Sequence, residues 1–562
     1  MPSALQKTLF LSLGILIAAW LLPNHYFPWT TAYQEFLSFS ACLIFLFSLT
    51  FCKHVYIPNT RAIIFVTAAA PLAQYFFGSI YFFGDAWLAT AYITGLFISI
   101  IAGHNFYKHH RHSLTENIAS AFLLGAFASL FIAIYQWLLL SSTIWIIEVP
   151  LRGRPFANLA QPNNLATLLC IGLASALHLY EKDRLGRLTA GILAALLIFG
   201  IVLTQSRTPW ISSLAAIFFL VWKAKTCRLR LSLTMTLGWF FFYIALVLLL
   251  PKLSELLFLS SSNPLERAQS LERLALWHLF WQAVLQGPLW GYGWNQVSVA
   301  QVSMAVNHPA PIMVEHSHNI LLDLLIWNGP LLGSVIIFSA SWWLLKLYWN
   351  ARSTESLFAL LSTGFVLTHA MLEFPLEYAF FLFPVGLLLG IATAEHSPAR
   401  KFEIPRPASI SIAIAGALLF VLAWREYRII EEDYRLMRFE TARIGSIKAE
   451  HLAPDVKLLT QLREFVRFAR TEAREGMNDS ELEWMRKVAH RYPYPPSLFR
   501  YALTLGLNGK PEGAYEQMLI LRSMHPTEHY LEATSSLKQL QKEYPQLEPL
   551  NRMLAPTSPL GR

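Results

Sequence analysis

The residues best suited to chemistry are Glu315, His316, His318 and Asn319, grouped immediately before an apolar run that becomes a membrane span. An imidazole that is neutral near pH 7 can accept a proton from a hydroxyl or donate to a phosphate oxygen. Titratable groups beside the start of an apolar helix are costly to keep there without a task. A histidine at a helix start can also be a structural hydrogen bonder, so the meaning of His318 depends on what else reaches the same face.

Four arginines are candidates to join it. Arg207 follows an apolar run and precedes Thr208-Pro209, which sets its guanidinium beside a helix N-terminus. Both features favour an anion, and phosphate is the natural one at the headgroup level; the alternative is snorkelling to ordinary lipid phosphates. Arg273 lies one turn before Trp277 in a helical stretch over 265–285, where it is either a solvated helix face or part of an anion site. Arg152 and Arg154, in Leu-Arg-Gly-Arg-Pro-Phe, form either an anion cradle or a headgroup anchor.

Uncharged and acidic partners accompany them. Asn158, Gln161, Asn163 and Asn164 stand just before the sixth apolar run. Asn163 or Asn164 can be the N-cap of that helix, but capping does not account for all of these amides, and the rest can bind sugar hydroxyls. Glu373-Phe-Pro-Leu-Glu377-Tyr378 occupies a very short loop in which Glu373, Glu377 and Tyr378 either orient an acceptor hydroxyl or are solvated.

The elements that must position these residues are membrane helices. With 55% hydrophobic and 14% charged residues over 562 positions, and a mean hydropathy of +0.43, the chain is too apolar for a soluble globule. About 13 apolar runs are long enough to cross a bilayer, which takes about 20 residues or slightly fewer. They lie near 6–22, 35–52, 62–78, 86–103, 117–140, 163–180, 188–204, 209–222, 231–250, 329–347, 355–372, 378–394 and 408–424. The seventh and eighth, parted only by Gln205-Ser206-Arg207-Thr208, read as a tight helical hairpin. The first run lacks a small-residue cleavage site and reads as a retained helix.

With the N-terminus inside, the cytoplasmic loops carry Lys53, Arg61, Lys108, Arg111, Lys182, Arg184, Arg187, Lys223, Lys225, Arg228, Arg230, Lys346, Arg352, Arg400, Lys401 and Arg406. The short loops opposite carry only Arg152, Arg154 and Arg207, and this asymmetry sets the orientation. The formal charge of +9 therefore reflects membrane topology, and no nucleic-acid partner is expected. Cys42, Cys52, Cys170 and Cys227 show neither CxxC nor Cys/His metal spacing, so neither a disulfide framework nor a metal site is expected.

The arginines, His318 and the Glu373 loop come from distant parts of the chain, yet this topology puts them all on the non-cytoplasmic face. A basic, amide-rich and histidine-bearing site suits an anionic lipid-linked substrate. Two larger segments share that face. One runs from Pro251 to His318. The other is the tail from about Arg425, where helical periodicity over 481–490, 496–507 and 514–524 fits either a small helical domain or a tetratricopeptide-type hairpin. The last stretch, from Ala555, reads as disordered. The expected organisation is a transmembrane domain over 1–424 and a helical domain over 425–562.

At His318-Asn319 with Gly329, at Ser206-Arg207, at Arg273 before Trp277 and at Gly291-Tyr-Gly293, the chain resembles the superfamily of bacterial O-antigen ligases, O-antigen polymerases and protein O-oligosaccharyltransferases. Gly333 is one position later than the family pattern. The resemblance covers about residues 150–395. The stretch Arg154 to Asn164, the Glu373 to Tyr378 loop and the helical tail look most like the pilin-type protein O-oligosaccharyltransferases.

The resemblance implies an all-α polytopic fold of the C type used by lipid-dependent glycosyltransferases, in the inner membrane with its site facing the periplasm. It implies en bloc transfer of a glycan from undecaprenyl pyrophosphate to Ser or Thr hydroxyls of pilin-like or other exported proteins, without metal or cofactor. Arg207 and Arg273 would hold the pyrophosphate, His318 would assist at the phosphate or deprotonate the acceptor, and Tyr378 and Glu373 would position the acceptor. The alternatives are a ligase or polymerase of the same superfamily, a transporter of lipid-linked glycans, or a membrane scaffold. A transporter should carry ionisable groups at mid-membrane depth and internally repeated halves, and the sequence displays neither.

Overall fold

With no water in a bilayer core to satisfy backbone groups, apolar stretches bounded by polar turns fold as helices. A computed structural model describes residues 2–52, 54–58, 61–109, 111–140, 143–150, 153–257, 259, 272–396, 402–442 and 453–555. Arg152, the first turns of the helix expected over 265–285, and the tail beyond Ala555 lie outside the described residues.

The elements run α1 Pro2–Leu21, α2 Ala32–Leu49, β1 His54–Ile57, α3 Arg61–Phe76, α4 Phe83–His109, α5 Arg111–Trp137, α6 Pro162–Glu181 and α7 Arg187–Leu203. They continue through α8 Thr208–Lys223, α9 Leu233–Leu256, α10 Glu272–Gln286, α11 Val297–Met304, α12 Ile320–Asn350, α13 Thr354–Ala370 and α14 Ala379–His396. The chain ends in β2 Phe402–Pro405, α15 Arg406–Thr441, α16 Thr460–Arg470, α17 Asp479–Arg491, α18 Pro495–Leu507, α19 Pro511–Met524, α20 Thr527–Leu540 and α21 Glu548–Leu554.

Among the described residues, 8 helices are long and apolar enough to cross a membrane: α1, α2, α4, α5, α6, α9, α12 and α15. The protein is thus a multi-pass membrane protein. The hydropathy count of about 13 is larger because it also takes in short helices. The 17 residues of α7 and the 16 of α8 rise only about 25 Å at about 1.5 Å each, less than a hydrocarbon core of about 30 Å. The fold is mostly helical, as expected, with one short ribbon beside the helices. β1 and β2 pair antiparallel, His54 opposite Pro405 and Ile57 opposite Phe402. Asn105 of α4 grips this ribbon, its amide on the Tyr56 carbonyl and its oxygen on the Tyr56 N–H, both at 2.9 Å.

The chain forms two compact units, each assembled from separate segments: Met1–Thr67, Ala91–Gln269 and Phe338–Trp424 in the first, Ala68–Thr90, Ser270–Ile337 and Arg425–Arg562 in the second. In the first unit α6 is central, packed on α5, α7, α8 and α13. The α14 pair Gly386 and Gly390 meets α4 backbone to backbone. A Cβ at Gly390 would lie 2.2 Å from the Ile100 carbonyl oxygen, and one at Gly103 2.0 Å from that of Leu387. Small residues at helical spacing permit such an approach between membrane helices.

α7 and α8 are not the closed hairpin that their short connection suggests. α7 lies mainly on α5, α6 and α9, α8 mainly on α6, α9 and α13. An apolar cavity of about 210 Å³ separates them, lined by Ala174, Ala194, Ile198, Ala216 and Trp239 among others.

In the second unit the C-terminal helices share one core with Phe82 and with Val302 and Ala305 at the end of α11; Met485, Val488, Leu498, Met518 and Leu521 fill it. The expected helices near 481–490, 496–507 and 514–524 are α17, α18 and α19. Glu426 caps α16 by accepting from the N–H groups of Lys457, Leu458 and Leu459 at 2.8, 2.8 and 3.1 Å, a carboxylate at a positive helix end.

Also in this unit, α12 breaks at Gly329, where φ is 73° and ψ 171°. The loop Gly291-Tyr292-Gly293 fills the break. Tyr292 and Gly293 donate their N–H groups to the carbonyls of Ile326 and Trp327 at 2.8 and 3.1 Å, and Gln74 of α3 adds its amide to the Trp327 carbonyl at 2.7 Å. Trp294 stacks on Trp327 with centroids 4.5 Å apart and donates to Asn328 at 3.0 Å.

The glycines are required because a Cβ at Gly291 would lie 2.4 Å from the Gly329 nitrogen, and one at Gly329 2.0 Å from the Leu289 carbonyl oxygen. Both have positive φ. Gly329→Ala should therefore cost about 3 kcal/mol or more, read as a large fall in thermal midpoint of the detergent-solubilised protein. Gly238→Ala, in open space on α9, should leave the midpoint unchanged or slightly raised; equal midpoints for the two variants would refute the seam.

Candidate functional site

In the first unit the candidate residues gather around the turn between α7 and α8. Arg207 is the N-cap residue of α8, with Pro209 in the first turn, so the last residue before the helix is a cation placed where anions are favoured. Its side chain is exposed, and among the described residues no carboxylate pairs with it. Neighbouring residues hold the turn. Gln205 takes a left-handed φ of 48°, and its carbonyl accepts from Arg154 Nη1 at 3.2 Å. Ser206 Oγ donates to Asn163 Oδ1 at 2.5 Å.

That contact belongs to a longer chain of polar groups. Asn163 Nδ2 donates to Glu373 Oε1 at 3.0 Å and Gln161 Nε2 to Glu373 Oε2 at 2.8 Å, so a buried carboxylate takes one amide on each oxygen. Glu373 is set by its own N–H on the His369 carbonyl, just past α13. The N-cap of α6 is Gln161, not Asn163 or Asn164, because Pro162 takes the first helical position; this frees Asn163 for the cluster. Asn158 lies outside the cluster. Its amide donates to the Leu21 and Trp145 carbonyls at 2.7 and 2.8 Å and its oxygen accepts from the Ile147 N–H at 3.2 Å, which makes it a loop brace. Tyr378 is half-buried and stacked on Phe380 at 4.9 Å, at the start of α14.

In the second unit the histidine segment is a built turn. His318 has a φ of 60°, left-handed backbone that costs a non-glycine residue about 1–2 kcal/mol. Asn319 follows and caps α12, its Oδ1 accepting from the N–H groups of Leu321 and Leu322 at 3.0 and 3.3 Å. Asp323, one turn into α12, accepts from the Ser317 N–H at 2.8 Å, and Ser317 Oγ donates to the Asn319 carbonyl at 3.0 Å.

Trp277 of α10 donates its indole N–H to the Ser317 carbonyl at 3.0 Å, which ties the start of α10, where half-buried Arg273 stands one turn earlier, to this segment. Burial, with the neighbouring His318 and Arg491, pushes the His316 imidazole down to about 3, so it is neutral at working pH. Glu315 is exposed and accepts from the Tyr494 hydroxyl at 3.0 Å.

Arg154, Gln161, Asn163, Arg207 and Glu373 are thus brought together in one unit, and Arg273, Glu315, His316, His318 and Asn319 in the other. Sequence reasoning overlooked Asp323, Ser317 and Gln74, which read as ordinary helix or loop residues until the turns they satisfy are seen. Among the described residues no three His, Cys, Asp or Glu side chains are arranged to hold a metal ion.

Comparison with known proteins gives this geometry a family. Residues 192–338 match a family model described as O-antigen ligase, and residues 357–540 one described as virulence factor membrane-bound polymerase, C-terminal. A general O-oligosaccharyltransferase of Acinetobacter baylyi is 32% identical over 545 residues, 94% of either chain. The chain belongs to the O-oligosaccharyltransferases of the O-antigen ligase superfamily. A ComP-specific O-oligosaccharyltransferase of the same organism is 27% identical over 493 residues, covering 86% of this chain and 89% of that one. The protein is therefore a glycosyltransferase.

For this O-oligosaccharyltransferase the Glu373 clamp ties the Arg207 turn to α6. Glu373→Ala leaves two amides without their carboxylate and should destabilise by about 2 kcal/mol, with transfer down about tenfold or more as the turn loosens. Glu373→Gln keeps the shape but sets an NH₂ against a donor amide, and should fall between. Thermal unfolding and transfer rate measured on the same preparations check this, and wild-type values for Glu373→Ala would remove the clamp from the account.

Proposed function

We propose that the protein moves a preassembled oligosaccharide en bloc from undecaprenyl pyrophosphate to Ser or Thr hydroxyls of pilin-like or other exported proteins, at the periplasmic face of the bacterial inner membrane. The observation that carries the reading is the exposed Arg207 at the N-terminus of α8, a fork of donors aimed where a phosphate would be bound. Membership of the family supplies the oligosaccharide and the transfer.

In the proposed reaction the acceptor hydroxyl oxygen attacks the anomeric carbon from the face opposite the pyrophosphate, and the bond from that carbon to the pyrophosphate oxygen breaks. The electron pair leaves on undecaprenyl pyrophosphate. Arg207 and Arg273 offset the charge that develops there. His318 either takes the hydroxyl proton or donates to the phosphate. Glu315, His316, Gln161, Asn163 and Tyr378 shape the surroundings, and inversion at the anomeric carbon follows from a single displacement.

A second reading, a ligase or polymerase that uses lipid A-core or another glycan as acceptor, is favoured by the descriptions of the two matching family models. It differs in the acceptor alone.

Arg207→Ala and His318→Ala should each lower transfer by about 100-fold or more at unchanged membrane insertion. Arg207→Lys should stay poor because an ammonium lacks the planar fork. Wild-type transfer by either alanine variant, at matched protein level, would remove that residue from the site.

A further inference from the structure

One side chain of the C-terminal helices reaches the histidine segment inside the second unit, from a turn anchored by a buried ion pair, and the proposed reaction leaves both unused. Arg491 closes α17 and is buried against Asp85, its Nη2 3.0 Å from Oδ1 and its Nε 3.3 and 3.2 Å from Oδ1 and Oδ2. Removing either charge would strand the other, so the pair holds one geometry. The surrounding backbone is tied as well. Asn295 donates to the Asp85 carbonyl at 3.1 Å and Ser298 to the Arg491 carbonyl at 2.8 Å.

Beyond Arg491 the turn Tyr492-Pro493-Tyr494-Pro495 leads into α18. His525 Nε2 sits 2.8 Å from the Pro493 carbonyl, and the Phe465 ring packs on Tyr492 and Tyr494 at 4.8 and 6.0 Å. From this rigid turn the Tyr494 hydroxyl donates to Glu315 Oε1 at 3.0 Å. Glu315 directly precedes His316 in the chain.

We propose that Tyr494 is a positioning residue of the transferase: from a turn fixed by the Arg491–Asp85 pair it holds the Glu315 carboxylate, and so keeps the His316–His318 segment in one conformation. The inference rests on the reading that this segment takes part in transfer. It also gives the C-terminal helices a task at the site.

The test uses the full-length enzyme with an undecaprenyl-pyrophosphate glycan and an acceptor protein, and compares wild type with Tyr494→Phe, Arg491→Gln, Arg491→Lys and His318→Ala. Tyr494→Phe keeps the ring and loses only the hydroxyl. Its kcat should fall about tenfold with the donor KM unchanged, a loss confined to the transition state. Arg491→Gln, which strands Asp85 and loosens the turn that carries Tyr494, should lower kcat as well, and Arg491→Lys, which keeps the cation, should restore part of it.

A wild-type kcat for Tyr494→Phe would overturn the proposal. If Arg491→Gln fails to accumulate, the kcat of Tyr494→Phe decides. Full transfer by His318→Ala would instead overturn the reading of the histidine segment itself, and so separates the two failures.

Discussion

Irregular backbone at the end of an apolar helix must find its hydrogen bonds within the protein, because lipid offers none. Both constellations of site residues obey this constraint. The left-handed turn at Gln205 is held by Arg154 and, through Ser206, by Asn163. The left-handed turn at His318 is held by Asn319 and Asp323. In each case a cation or an imidazole is presented at the end of a helix by neighbours whose own polar groups are satisfied. Arg207 and His318 are thereby held on short braced turns and not on long flexible loops.

The same constraint accounts for the glycines. The break in α12 exposes carbonyls of Ile326 and Trp327, and the Gly291–Gly293 loop with Gln74 answers them. Close backbone approach demands the absence of a Cβ at Gly291 and Gly329. These glycines serve the architecture under the histidine segment rather than the chemistry.

Much of this was legible in the chain. Apolar runs marked the helices because exclusion from water leaves a strong periodic signal, and Arg207, Arg273 and His318 stood out as polar groups where apolar ones were expected. What stayed hidden were pairings between distant segments. Nothing in Gln161 or Asn163 announces a carboxylate at Glu373, and nothing in Asp323 announces the Ser317 N–H. The β1–β2 ribbon escaped because strands of four residues carry too little period to register. α11 escaped because its eight residues carry little period, whereas α16 was missed although Leu462 and Val466 form an apolar stripe on it.

The central claim is that this O-oligosaccharyltransferase delivers its glycan to protein hydroxyls with His318 taking part. Intact-mass spectrometry of a pilin-like periplasmic protein tests it most directly, in cells that make one defined undecaprenyl-linked glycan and carry either the wild-type chain or His318→Ala. A glycan-sized added mass on the acceptor with wild type alone is the expected result. An unmodified acceptor in cells whose lipid A-core has gained the same glycan would contradict it.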